Sequence, residues 1–301
     1  MNHSYDAERI ISFTTTTMDT ATISASADEP VRVTRRDAVL HIELNRPEAR
    51  NPLGPDTVAA LDAAVREGGA DDAVRVLLFT ASGDAFSAGG NLANMQDRLG
   101  APPGPDGRDP IAAGNRLYGD FLARLCASPK VSVAVVQGHA MGGGAGLICA
   151  CDISVGLAGA RYGFPEAAIG LVPGQILPFV VARIGVPAAR RLMLTGQRID
   201  GIEAHRIGLI DYLAHDPADL AERTSAALSG VLGCGPTASI ETKRLLRQVA
   251  QPHAGAALAS YLDEAADVFA HQMRTEAVEG VAASRARRKP QWAVPAPRLT
   301  H

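Results

Sequence analysis

The pattern of apolar and polar positions becomes regular from residue 31 onward. VRVTRR at 31–36 and AVLHIELN at 38–45 are rich in β-branched and aliphatic residues, and Asp37 separates them, which predicts two strands joined by a tight turn. Val58, Leu61, Ala64 and Val65 then recur at helical spacing, predicting a helix over 57–67 with Asp56 as its N-cap. RVLLFTA at 75–81 is continuously apolar, as in a strand covered on both faces. A Pro/Gly-rich loop over 100–108 follows. Asp109 and Pro110 read as N-cap and first residue of a helix whose apolar face is Ile111, Tyr118, Phe121, Leu122 and Leu125. VSVAVV at 131–136 and DISVGL at 152–157 predict two more buried strands.

Strands alternating with helices through short turns indicate an α/β core with crossover connections. Beyond about residue 176 the pattern turns helical, over 176–194, 201–207, 217–231, 237–250, 256–272 and 275–286, with one short strand near 209–213. This divides the chain into an N-terminal tail (1–30), a core (31–215) and a helical C-terminal region (216–301). No repeat of fixed period is present. The tail is rich in Ser and Thr, has no apolar signal segment and reads as disordered, with Met18 as an alternative start. Residues 131–151 carry no charge, long enough to raise the question of a membrane span. Gln137, His139 and a cluster of glycines fall within that run, which fits a strand, a turn and a buried helix instead.

Composition narrows the function. Of 301 residues 47% are hydrophobic and only 4% aromatic, so the core is aliphatic. Lys and Arg number 29 against 32 Asp and Glu, which leaves no large basic field for nucleic acid or an anionic membrane. The four cysteines (Cys126, Cys149, Cys151, Cys234) show no metal-binding spacing. They read as reduced and mostly buried, pointing to a cytoplasmic protein without a metal.

The chemistry is concentrated in three stretches. FSAGGNL (86–92) follows the 75–81 strand and GHAMGGGAG (138–146) follows the 131–136 strand. Glycine lets the main chain approach a ligand without an intervening Cβ. A helix starting there presents free N–H groups and partial positive charge. Two such turns facing one point make a pair of donors for a developing oxyanion. Neither turn matches a dinucleotide or P-loop fingerprint. The third stretch, YGFPEAAIGLVPG (162–174), sets Glu166 among apolar neighbours, where desolvation raises a carboxyl pKa and suits it to acid–base work. His139, a single histidine beside a turn, reads as structural.

LNRPEARNPL (44–53), FSAGGNL, GHAMGGGAGL, CDISV, GFPEAAIGLVPG, RLMLTGQRIDGIEAHRIGLID (191–211) and EGVAASRARRKPQW (279–292) occur in this order. Together they resemble the enoyl-CoA hydratase/isomerase (crotonase) superfamily over roughly 31–292. The resemblance implies an α/β fold of the crotonase type, a spiral of ββα units with a helical C-terminal trimerisation region, assembled as a homo-trimer or homo-hexamer. It implies an acyl-CoA thioester substrate and no cofactor other than the coenzyme A that the substrate carries. Catalytic roles fall on Glu166 and on the main-chain N–H groups of Gly90 and Gly143. Arg46, Arg50, Ser87, Ala88, Asn91 and Leu92 fall where the family binds the coenzyme A portion.

The sequence also departs from that pattern. Two-glutamate hydratases carry a second Glu after the triple glycine, where this chain has Gly146. Asn91 stands in place of a common Asp, and PGQILPFVV (173–181) in place of a PGxGGTQRL run. These features are similar to the methylglutaconyl-CoA and isohexenylglutaconyl-CoA hydratase branch. They imply hydration of a branched or carboxylated enoyl-CoA, with Gly146 leaving room for a β-substituent and Gln175 lining the pocket. A Δ3,Δ2-enoyl-CoA isomerase using the same Glu166 is the alternative, and a catalytically silent acyl-CoA-binding protein the third reading.

Overall fold

The computed structural model describes residues 29–91, 99–102, 109–250 and 256–292. The Met18 start, nearly all of the N-terminal tail and Leu92 lie outside these residues. Glu29 and Pro30, assigned above to the tail, are tied to the core: their carbonyls accept hydrogen bonds from the Asn45 side chain (3.1 Å) and main chain (2.9 Å).

A six-stranded sheet forms the spine. Its strands are β1 (Val31–Arg36), β2 (Val39–Leu44), β4 (Val76–Ala81), β7 (Val131–Val136), β9 (Ile153–Leu157) and β12 (Tyr212–Ala214), hydrogen-bonded in that order. β1 and β2 form the expected hairpin, turning through Asp37 at φ 52°. Every later pairing is parallel. In β4 all six residues are buried and alternate between two cores. Leu77, Phe79 and Ala81 enter the main core, whereas Val76 and Leu78 face the opposite side with Leu220, Ala227 and Leu228 of α6 (Pro217–Gly233). The continuous apolar run seen in the sequence is therefore a strand covered on both faces.

Four of the six spine strands are each followed by a short strand of a smaller sheet and then by a helix. β2 leads to β3 (Pro52–Leu53) and α1 (Pro55–Ala70). β4 leads to β5 (Ala85–Ser87), β6 (Gly89–Gly90) and α2 (Pro110–Ala127). β7 leads to β8 (His139–Met141) and α3 (Gly143–Ala150), and β9 to β10 (Arg161–Gly163) and α4 (Leu177–Thr195). With β11 (Arg198–Asp200), the strands β11-β10-β8-β5 make a four-stranded sheet beside the spine. This repetition is the expected spiral of ββα units. The small strands escape sequence detection because two or three residues give no measurable alternation.

Two helix starts compare instructively. Asp109 caps α2 as expected, its carboxylate accepting from the N–H groups of Ile111 (2.9 Å) and Ala112 (3.3 Å). Asp56 does not cap α1. Pro55 begins that helix behind Gly54, and Asp56, in the first turn, pairs with Arg46 at 2.7 Å. After α5 (Gly201–Arg206) and α6 come α7 (Pro236–Ala250), α8 (Ala256–Arg274) and α9 (Glu276–Arg285). α8 packs along α2, and Arg274 near its end donates to both carboxylate oxygens of Asp109 at 2.6 and 2.8 Å. No helix among the described residues is long and apolar enough to cross a membrane.

Gly146 corrects one expectation. It is buried within α3, and a Cβ on it would lie 2.5 Å from Ile176 Cγ2 and 2.8 Å from Ile176 Cβ. The side-chain volume missing at 146 is filled by Ile176 rather than left open for a ligand. Because Ile176 is β-branched and the contact reaches its Cβ, rotation about χ1 gives little relief. Gly146→Ala is therefore expected to destabilise by about 1–3 kcal/mol, despite alanine's higher helix propensity. Ile176→Ala in the same chain should recover part of the loss. A double-mutant cycle of urea unfolding measures the coupling, and purely additive effects would refute the packing account.

Candidate active site

The two glycine turns meet because their backbones can touch. Gly89 has φ +85°, and a Cβ on it would lie 2.6 Å from Met141 O and 3.3 Å from Gly143 N. A Cβ on Gly144 would lie 2.7 Å from Ser87 Cβ and 2.9 Å from Ser87 O. Side chains at either position would push β5–β6 away from the start of α3. Buried Asn51 holds the first turn from below: its Nδ2 donates to Ser82 O and Ala85 O, each at 2.9 Å, and Ser87 Oγ donates to Asn51 O at 2.7 Å. Gly90 and Gly143 come to line one cavity of about 230 Å³. As the first residue of α3, Gly143 presents an N–H that has no acceptor within the helix.

Glu166 lines the same cavity. It begins a 3-10 turn, Glu166–Ile169, after β10. Its carboxylate occupies the space a Gly142 side chain would need, since a Cβ there would lie 2.6 Å from Glu166 Oε1. Gly142 has φ +53°, a conformation costly for other residues. Glu166 Oε2 is buried and has no hydrogen-bond partner. Burial pushes the Glu166 carboxyl up from 4.5 to about 7, only partly opposed by a backbone hydrogen bond. The arrangement is a carboxyl group able to exchange a proton near neutral pH, beside a helix N-terminus that favours negative charge.

The structure separates the other predicted residues. Ala88 and Asn91 line the cavity, as does Gln175. Ser87 is outside the lining: it is fully buried, and its hydroxyl donates to Asn51 O and accepts from Gly89 N. Its hydroxyl holds the turn rather than facing the cavity. Arg46 is ion-paired to Asp56 outside the cavity lining. Arg50 is exposed, at φ 60°, and its carbonyl accepts from Ala88 N at 2.8 Å. Gly146 is not part of the lining. His139 is exposed, and its Nδ1 accepts from the Arg161 N–H at 3.0 Å, the structural role expected for it. Among the described residues, no group of three or more His, Cys, Asp or Glu could hold a metal ion.

Two lining residues carry polar groups that the sequence reading passed over. Tyr118 belongs by its spacing to an apolar helix face, yet its hydroxyl donates to Gly143 O at 2.6 Å and holds the start of α3 in place. Burial, with Cys151, Cys149 and Glu166 nearby, raises its pKa well above 10, so it remains a neutral donor. The available signal was a buried tyrosine hydroxyl in need of a partner. Asn115, one turn earlier, has a buried Oδ1 with no partner. Apolar residues from separate elements complete the walls, among them Leu53, Val58, Leu171 and Ile176, with Phe269 and Met273 from α8.

The sequence profile of the enoyl-CoA hydratase/isomerase family matches residues 34–295. The crotonyl-CoA hydratase of Syntrophomonas wolfei is 34% identical over 245 residues, 79% of this chain and 88% of the relative. The 2,3-dehydroadipyl-CoA hydratase of Escherichia coli is 30% identical over 218 residues, 72% and 81% of the two chains. The crystal structure of an enoyl-CoA hydratase/isomerase from Marinobacter aquaeolei superposes with a TM-score of 0.71 at 36% identity, covering 88% of this chain and 99% of that one. With the spiral of ββα units, the paired glycine turns and a buried carboxyl group between them, the chain belongs to the enoyl-CoA hydratase/isomerase family, the crotonase superfamily.

Proposed function

We propose that this protein is an enoyl-CoA hydratase acting on a branched acyl thioester, with Glu166 as its acid–base group. The observation that carries the reading is the Glu166 carboxyl, pushed up to about 7 in a cavity that Gly90 and Gly143 also line. The thioester oxygen would accept hydrogen bonds from the Gly90 and Gly143 N–H groups. Glu166, as carboxylate, takes one proton from a water while the water oxygen bonds to Cβ. The π electrons move to the thioester oxygen as an enolate, which the two N–H groups stabilise. The proton on Glu166 then passes to Cα as the enolate collapses, so one water has been added and the carboxylate restored. The relatives' names, crotonyl-CoA and 2,3-dehydroadipyl-CoA hydratase, support hydration as the reaction. Ala88 and Asn91 line the cavity next to Gly90 and would contact the coenzyme A end of the thioester.

The cavity wall bears on the acyl group. Among the described residues it contains no Lys or Arg, and Glu166 is its one carboxyl group. Among the described lining residues none supplies a countercharge to a substrate carboxylate buried there, which would make its burial costly. The apolar described walls favour an uncharged acyl group over a carboxylated one. The family resemblance implies self-association as a trimer or a dimer of trimers, and such contacts would cover exposed apolar side chains such as Leu194, Ile202 and Leu246.

Wild-type protein should convert a 2-enoyl-CoA to product carrying one oxygen from ¹⁸O-labelled water, with loss of the conjugated-thioester absorbance. Branched uncharged acyl chains should give a higher kcat/KM than carboxylated ones. A product without label would identify an isomerase moving a proton between Cα and Cγ on the same Glu166. Tight binding with no spectral change would identify a silent acyl-CoA-binding protein.

Glu166 must be ionised to accept the proton, so kcat/KM should rise with pH through about 7. Glu166→Gln should lower kcat by at least about a hundred-fold while thioester binding survives. Folding stability should run the opposite way. The folded carboxyl titrates near 7 and the unfolded one near 4.5, so the folded state binds the proton more tightly. The stability this group contributes is complete below 4.5 and lost as pH rises to about 7. Glu166→Gln should remove that loss, leaving the variant more stable than wild type at pH 8. Urea unfolding at pH 5 and pH 8 tests this, and a variant with the wild-type pH dependence would contradict it.

A further inference from the structure

Six buried side-chain polar atoms among the described residues lack a hydrogen-bond partner, and three belong to residues lining this cavity: Glu166 Oε2, Gln175 Oε1 and Asn115 Oδ1. Buried polar atoms are rarely left unpaired, and orphans gathered at one cavity point to a ligand or an ordered water. Glu166 has a role in the proposed reaction. Gln175 and Asn115 do not.

Gln175 is 3% exposed, and its orientation is fixed. Nε2 donates to Leu262 O at 2.7 Å, so turning the amide would set oxygen against oxygen. Oε1 therefore lies toward α2, where a Cβ on Gly119 would come within 1.9 Å of it. Asn115 is four residues before Gly119 on the same helix, hence on the same face one turn away. Two amide oxygens thus lie along one face of α2, and neither has a donor. Asn115 also sits between the two ends of the cavity. Tyr118, three residues on, bonds Gly143 O at the reacting end. Ile111, one turn earlier, packs in a cluster with Leu171, Phe269 and Met273 at the other.

An acceptor pair repels a carboxylate and accepts an O–H. We propose that Asn115 and Gln175 form a hydrogen-bond-acceptor subsite that takes an O–H group in the acyl cavity. Two sources share that chemistry. One is the water that adds to Cβ. It has two protons, and with Glu166 taking one and glycine at 146, the second needs an acceptor. The other is a hydroxyl carried further along the acyl chain. The water source rests on the hydratase reading, whereas the acyl hydroxyl requires only that an acyl-CoA occupies the cavity.

Saturated acyl-CoA thioesters cannot be hydrated, and Glu166→Gln in every chain titrated keeps the 3-hydroxy member, the product of the proposed reaction, from being dehydrated, so binding tests the subsite apart from turnover. A series bearing a single hydroxyl at successive carbons from C3 to C6 is titrated calorimetrically against the full chain, with the unsubstituted thioester as reference. One position should bind about five-fold tighter than the reference, the worth of one net hydrogen bond. Preference at C3 identifies the place of the added water's oxygen, and preference at C5 or C6 a hydroxyl of the acyl chain. Asn115→Leu should bring the ratio to about one, and Asn115→Asp, which keeps an acceptor, should retain a preference. The unfolding midpoint of each variant checks that it is folded. Equal binding of all hydroxylated and plain thioesters, or a preference that survives Asn115→Leu, overturns the subsite and leaves the hydratase reading standing. Failure of every acyl-CoA to bind overturns the hydratase reading and the subsite with it.

Discussion

The site depends on one close approach, that of the backbone at 87–90 to the backbone at 141–144. A Cβ at Gly89 or Gly144 would fall within 3 Å of the opposing chain, so the contact exists only because both turns are glycine. The spiral supplies the approach: β5 and β8 are neighbours in the small sheet, and each follows a buried strand of the spine. Asn51 and Ser87 then fix the first turn with buried hydrogen bonds, and Tyr118 fixes the second through Gly143 O. The glycines weaken a helix by about 1 kcal/mol each relative to alanine. The sheets and the buried hydrogen bonds restore order to the segments concerned.

Two opposing effects meet at Glu166. The N-terminus of α3 lies beside it, and a helix dipole stabilises a nearby carboxylate by about 0.3–1 kcal/mol, up to about 2 when partly buried. Desolvation opposes this. Lifting the carboxyl from 4.5 to about 7 corresponds to something on the order of 3 kcal/mol, so desolvation prevails. The balance suits catalysis, because a carboxyl pulled well below neutrality would be a weak base. An apolar wall without a described cation leaves Glu166 near the pH at which it can both take and return a proton.

Much of this was legible in the sequence. The strands of the spine are long enough to show as apolar runs, the Asp109–Pro110 start of α2 is a local signal, and the glycine turns and Glu166 stand out by composition. What was not legible depends on contacts between distant segments. The small sheet is made of strands of two or three residues, below any periodicity. Nothing local to Ser87 and Arg46 shows that Asn51 and Asp56 engage their side chains. Gly146 looks like open space because nothing local shows that Ile176, thirty residues on, fills it. Asn115 and Tyr118 merge into an amphipathic helix until the fold turns that face toward Gly143 and Gln175.

The cavity also separates chemistry from selection. The groups proposed to react come from the spiral: Gly90, Gly143 and Glu166 follow three successive strands of the spine. The cavity wall away from these groups comes from α2, the loop before α4 and α8. α8 holds that loop directly, since Tyr261 donates to Gly174 O at 2.9 Å, Gln175 donates to Leu262 O, and a Cβ on Gly174 would lie 2.7 Å from Ala265 Cβ. A change in α8 therefore moves the cavity wall without disturbing the glycine turns. A change in the turns removes the donor pair whatever acyl group is bound. The departure from the family's PGxGGTQRL run lies in this loop, where Gln175 and Ile176 now shape the cavity between α2 and α3. The loss of a second carboxylate at 146 and the appearance of Ile176 are thus two sides of one packing contact, since neither a glutamate at 146 nor an alanine there fits beside that isoleucine.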